Sequence, residues 1–125
     1  MIEIKKINDE KIAQKICEEQ GLSWNPNNHV IATLSGEKWL NSAVFSYSGE
    51  EGIIHSIQGF DGDLAMLDGL CRAILNIMDI NGVKFVYFTS KNEELAKKVG
   101  FSEKNGQYYI ELEGFFGCGC CKSST

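Results

Sequence analysis

Proline is nearly absent from this chain: Pro26 is the only one, inside the turn-rich stretch "GLSWNPNNH". No other Pro-, Gly- or Ser-rich run marks a linker, and no internal repeat is visible. The sequence therefore reads as one domain over residues 1–116, with a short Cys-rich tail over 117–125. Long apolar runs are missing too. None approaches the ~20 residues that a bilayer span requires, and "MIEIKKINDE" lacks the apolar stretch of a signal peptide. These absences set the expectation of a cytoplasmic protein with reduced thiols and no membrane partner. Clustered cations are also lacking. Twelve Lys and Arg stand against 17 Asp and Glu, a net charge of −5, and form no basic stripe. That excludes a nucleic-acid surface and weakly favours amine or basic partners. Five cysteines is an odd count, and without a secretory context it does not read as a disulfide framework.

What remains is an ordinary globular composition, 43% hydrophobic and 23% charged. "IEIKKI" alternates and suits a first strand. "NDEKIAQKICEEQG" follows as a helix, with Asn8 as its N-cap and Gly21 at its end. Ile12, Ala13, Ile16 and Cys17 share one face. Three strand-like runs come next, "HVIATLS", "WLNSAVFSYS" and "GIIHSIQGF", separated by turn-rich "SGEK" and "SGEEG". They form an antiparallel meander, with Ala43, Phe45 and Tyr47 opposite Val44.

"DGDLAMLDGLCRAILNIMDING" is the clearest helix. Its stripe is Leu67, Leu70, Cys71, Ile74, Ile77 and Met78, and Asp68 and Arg72 pair at i,i+4. Asp61 or Asp63 caps its start. "VKFVYF" reads as a strand buried on both faces. "KNEELAKKVG" is a short helix begun by Ser90 or Asn92. "FSEKNGQYYIELEGFF" is a hairpin turning at "KNG". The expected class is α+β: a mixed, mostly antiparallel sheet with helices on both faces, and a right-handed crossover between Gly52 and Phe88.

From Gly52 to Phe116 the chain resembles the GNAT acetyltransferase superfamily. "GIIHSIQGF", "DGD", "LAMLDGLCRAILNIMDING", "VKFVYFTS", "KNEELAKKV" and "GFSEKNGQYYIEL" follow the family's order of strand, phosphate-binding turn, helix, strand, helix and closing hairpin. The first half is shorter than usual, with one N-terminal helix in place of two. The resemblance implies acetyl-CoA as co-substrate and a small-molecule or peptide amine as acceptor. The function it implies is acyl-CoA-dependent N-acetyl transfer to an unknown amine, by a chain that could form a homodimer.

Laid on the family's signature, Arg/Gln-x-x-Gly-x-Gly/Ala, this chain reads Gly62-Asp63-Leu64-Ala65-Met66-Leu67. Gly62 replaces the basic or amide residue, and Leu67 a small one. The resemblance implies cofactor contacts from Ile57, Gln58 and Gly59 at the end of the fourth strand. It implies others from Gly62, Asp63, Leu64 and Ala65 in the turn, and from Asn92 at the following helix. The backbone would separate from its neighbour after Gln58, leaving amides bare for the pantetheine and pyrophosphate. The family's helix tyrosine falls on Ala96.

Such chemistry needs a base and a polarised carbonyl. His55, on the fourth strand and facing the same way as Ile53 and Ile57, has the right intrinsic pKa. Tyr87, Tyr108 and Tyr109 are available as substitute acids, and Tyr108 joins His55 in the candidate catalytic set. Independently, "FFGCGCCKSST" places Cys118, Cys120 and Cys121 at C-x-C-C spacing. Three thiolates of this kind could hold Zn²⁺ or Cu(I) with a fourth ligand. Two other readings stand beside the transferase: a GNAT-like binding module without catalysis, and a thiol- or metal-handling protein using that tail.

Overall fold

A computed structural model describes residues 2–59, 64–90 and 92–112. The elements are β1 (Ile2–Ile7), α1 (Glu10–Glu19), β2 (His29–Ser35), β3 (Lys38–Ser48), β4 (Glu51–Gly59), α2 (Leu64–Ile80), β5 (Phe85–Phe88), α3 (Glu93–Val99), β6 (Ser102–Lys104) and β7 (Gln107–Glu111). The strands make one seven-stranded sheet in the order β1-β2-β3-β4-β5-β7-β6. Only β4 and β5 run parallel; every other neighbouring pair is antiparallel. This is the α+β class read from the sequence.

The two faces of the sheet are covered unequally. On one face α2 and α3 bury Ile31, Phe45, Ile54, Val86, Phe88, Tyr108 and Ile110 in the main core. On the other, α1 buries Val30 and Val44 beneath Ala13, Ile16 and Cys17, with Trp24 and Trp39 at the margin. Among the described residues α1 lies over β1 to β3 alone, so β4, β5 and β7 have no helix above them on this face. That corrects the expectation for "VKFVYF". Val86 and Phe88 are buried, whereas Phe85 and Tyr87 on the other face stay half-exposed.

Local chemistry accounts for most boundaries. Asp9, not Asn8, caps α1: its carboxylate accepts from Lys11 N at 2.9 Å and Ile12 N at 3.3 Å. Asn92 caps α3 through Leu95 N at 3.0 Å, and Gly100 ends it in the left-handed region. Asn105 and Gly106 both take positive φ, 56° and 79°, as a two-residue hairpin turn requires. In α2 the stripe is wider than the sequence pattern, since Leu75 is fully buried while Ile77 is only partly so. Arg72 and Asp68 pair at 3.1 Å, as their spacing suggests. Gly52 lets β4 lie against α2, because a Cβ there would sit 2.6 Å from Met78 Sδ.

Candidate functional site: the splayed strands

Two irregularities in β4 build the site. The first is a bulge. Val44 pairs with Ser56, but Phe45 pairs with Ile54, so His55 is the extra residue. The bulge reverses the alternation expected from the sequence. His55 does not share a side with Ile57; Ile57 joins Ile54 in the main core instead. A period-two reading cannot see an inserted residue, and so it assigned the wrong face.

The second irregularity is a splay. β5 pairs with Glu51 to Ile54 and stops, its last link being Thr89 N to Ile54 O at 3.0 Å. β4 continues to Gly59, paired with β3 alone. The strands therefore part after Ile54, four residues earlier than the sequence reading placed the break. Among the described residues, backbone N–H groups on the open side of residues 55–59 have no neighbouring strand to bond.

The gap forms a cleft of about 420 Å³, lined by Gln20, His55, Ser56, Ile57, Gln58, Thr89, Ser90 and Asn92. A second hollow of about 450 Å³ lies on the uncovered face and shares Thr89 with the first. Ser46 lines the hollow, His55 lines the cleft, and their Oγ and Nε2 atoms lie 2.8 Å apart. The two spaces thus meet at a hydrogen-bonded Ser–His pair. Burial lowers the pKa of His55 below its ordinary value, so the ring is neutral near pH 7 and can accept a proton.

Of the cofactor-binding candidates, Ile57, Gln58 and Asn92 line the cleft together. Asn92 also spends its side-chain oxygen on the α3 cap. Gly59 ends β4 beside Leu67, whose Cδ2 would lie 3.2 Å from an added Cβ. Leu64 opens α2 and packs on the core; Ala65 is exposed on its first turn. Leu67 turns into the core. Gly62 and Asp63, with Asp61, lie outside the described residues, as do Cys118, Cys120 and Cys121. Among the described residues no group of His, Cys, Asp and Glu side chains could hold a metal ion. Tyr108 is buried in the main core opposite Phe88 and does not line the cleft.

Gln20 escaped the sequence reading. It ends α1, and its Nε2 donates to Ser42 Oγ at 2.8 Å. Its Oε1 is buried with no partner among the described residues and belongs to a side chain lining the cleft. A buried acceptor in that position suits a ligand N–H. Its only sequence signal was an amide at a helix end, which is too common to point anywhere.

No family model and no curated protein matches this sequence. Solved structures do match in three dimensions. A GNAT-family protein of Desulfovibrio desulfuricans superposes with a TM-score of 0.69 at 10% identity, covering 90% of this chain and 99% of the other. The chain has the GNAT fold. Staphylococcus aureus N-acetyltransferase gives 0.67 at 14% identity, covering 90% and 99%. Escherichia coli YhhK, whose structure was solved bound to coenzyme A, gives 0.65 at 17% identity, covering 89% and 98%. The GNAT fold thus extends over nearly the whole chain, including the shortened first half.

The two histidines make stability depend on pH. His29 stacks on Tyr47 at 5.2 Å, and its pKa, like that of His55, is lowered mainly by burial. The unfolded chain then takes up protons at higher pH than the native one. The stabilisation is complete above the ordinary value of 6.5 and is lost as pH falls through the native values. We expect the melting temperature to hold steady between pH 8 and 7 and to fall below 6.5. The fall should shrink in His29→Gln and in His55→Gln. An unchanged acid slope in both variants would contradict this account.

Proposed function

We propose that the protein transfers an acyl group from an acyl-CoA thioester to a primary amine. The splay of β4 from β5 beside a neutral, bulged His55 is the observation that carries this reading. A pantetheine arm laid in the cleft would meet the free backbone edge of residues 55–59 and find an acceptor in Gln20 Oε1. Unpaired N–H groups on that edge would polarise the thioester carbonyl. Ser46 fixes the imidazole of His55, which takes the proton as the amine attacks. The amine comes from the hollow on the uncovered face, which meets the cleft at the Ser46–His55 pair. Among the described residues no helix is long and apolar enough to cross a membrane.

The departures at Gly62 and Leu67 favour one competing reading, a binding module that keeps the fold without the chemistry. Calorimetry with acetyl-CoA separates the two. We expect 1:1 binding in the micromolar range, displaced by free CoA, with acetylated product appearing when an amine is added. No binding at millimolar acetyl-CoA would end the transferase reading and support the module, which does without the cofactor.

A further inference from the structure

The uncovered face of the GNAT sheet carries a chemical pattern that the transfer reaction alone does not require. Strand register sets it out in two rows. One row is Ser46, Ile53, Tyr87, Tyr109 and Ser102; the next is Ser48, Glu51, Phe85 and Glu111. Ile53, Phe85, Tyr87 and Tyr109 are all half-buried, an apolar and aromatic floor with no helix above it among the described residues. Glu51 and Glu111 are exposed and flank Phe85 on either side, two strand spacings or roughly 10 Å apart across the backbone. Neither joins a salt bridge among the described residues.

The cations nearby do not neutralise this pair. Lys84 is held by Glu50 at 3.4 Å; Lys104 lines an adjoining hollow together with Phe85, Tyr87, Tyr109 and Gln107, and forms no salt bridge with Glu51 or Glu111 among the described residues. Two carboxylates on either side of an aromatic residue offer a seat for an ammonium group, which would gain from both the charges and a ring face. Glu51 and Tyr87 also line the hollow of about 450 Å³, with Ile53, Thr89, Gln107 and Ser46, and this hollow ends at the Ser46–His55 pair; Phe85 lines the adjoining hollow. That volume is the size of a small-molecule site and is small for a folded partner.

We propose that this face is the acceptor site and that it selects a small aliphatic diamine. One ammonium sits between Glu51 and Glu111 over Phe85 and Tyr87; the other nitrogen, deprotonated, reaches His55. Four residues of strand separate Glu51 from His55, roughly 13 Å. Allowing for the reach of the side chains, the two nitrogens should be about 7–10 Å apart, as in a chain of five to seven carbons. The step attached to this site rests on the transfer reading above. The amine nitrogen forms a bond to the thioester carbonyl carbon, the C–S bond breaks, and His55 takes the amine proton as the thiolate departs. The binding of the diamine does not rest on that reading.

The test is therefore a binding experiment first. Calorimetry at low salt should show 1,6-diaminohexane binding at least ~10-fold more tightly than hexylamine. Glu51→Gln and Glu111→Gln should each weaken the diamine several-fold, and the double variant should bring it to the hexylamine level. The Tyr87 and Tyr109 ring resonances should shift during the titration, and all variants should keep the wild-type melting temperature. Equal affinity for diamine and monoamine overturns the proposal. So does an unaffected double variant, the absence of any binding at millimolar diamine, or tighter binding of a lysine-rich peptide. A parallel titration with acetyl-CoA keeps the two ideas apart. Diamine binding without acetyl-CoA binding removes the transfer step and leaves the site; the reverse removes the site and leaves the transferase.

Discussion

His55→Gln should lower the rate of acetyl transfer by about 100- to 1,000-fold at pH 7, with the affinity for acetyl-CoA changed by less than about 2-fold. Glutamine keeps an amide near Ser46 but has no group that accepts a proton in this range. The loss should fall on kcat, because the ring acts on the amine and not on the thioester. The wild-type rate should rise with pH through an inflection below 6.5, since burial lowers the His55 pKa. In His55→Gln that inflection should vanish, leaving only the titration of the amine itself. Ser46→Ala makes the complementary case. It leaves the imidazole in place without its 2.8 Å partner, so the inflection should persist while kcat falls by a smaller factor. If His55→Gln retains the full rate with an unchanged pH profile, His55 is a sheet residue with a satisfied hydrogen bond and nothing more.

The same histidine shows how far the sequence could be read. Composition and alternation were enough for the meander, the long α2 helix, the crossover and the Asn-Gly hairpin, because each depends on local periodicity or on a turn residue with a fixed backbone need. They were not enough for the bulge. An extra residue in β4 leaves no mark in the alternation of "GIIHSIQGF"; it appears only when Val44 and Phe45 are matched to Ser56 and Ile54. The splay is likewise a property of two strands. That β5 is only Phe85–Phe88 long while β4 reaches Gly59 cannot be judged from either segment alone.

Misreading "VKFVYF" has a related cause. Five apolar or aromatic residues in six positions fit a strand covered on both sides, but cover depends on where α1 lies, and α1 packs over β1 to β3. The excess apolarity of Phe85 and Tyr87 became a functional signal only once the missing layer was known. Cys71 illustrates the opposite case. Its place on the α2 stripe already indicated a packing role, and burial pushes its thiol up to about 12, leaving it inert.

Phe45→Ala should cost about 3–5 kcal/mol, a large share of the 5–15 kcal/mol that holds a typical domain together. The side chain is fully buried on the α2 face, with His29 and Tyr47 rings at centroid distances of 5.3 and 6.4 Å. It also forms the first paired position beyond the bulge, opposite Ile54. Truncation leaves a cavity that neighbouring strands cannot close without shifting the register on which His55 depends. For a chain of this length the loss corresponds to a fall of roughly 10–20 °C in melting temperature. Denaturant unfolding should show a lower midpoint with the slope unchanged. Phe45→Leu, which keeps most of the volume, should lose less than half as much. The two variants also separate stability from chemistry. At a temperature where both are folded, Phe45→Leu should retain transfer activity, whereas Phe45→Ala should lose it beyond its folded fraction because the bulge has moved. A cost below about 1 kcal/mol would mean that the β3–β4 register is held elsewhere, and the link drawn here between core packing and the position of His55 would fail.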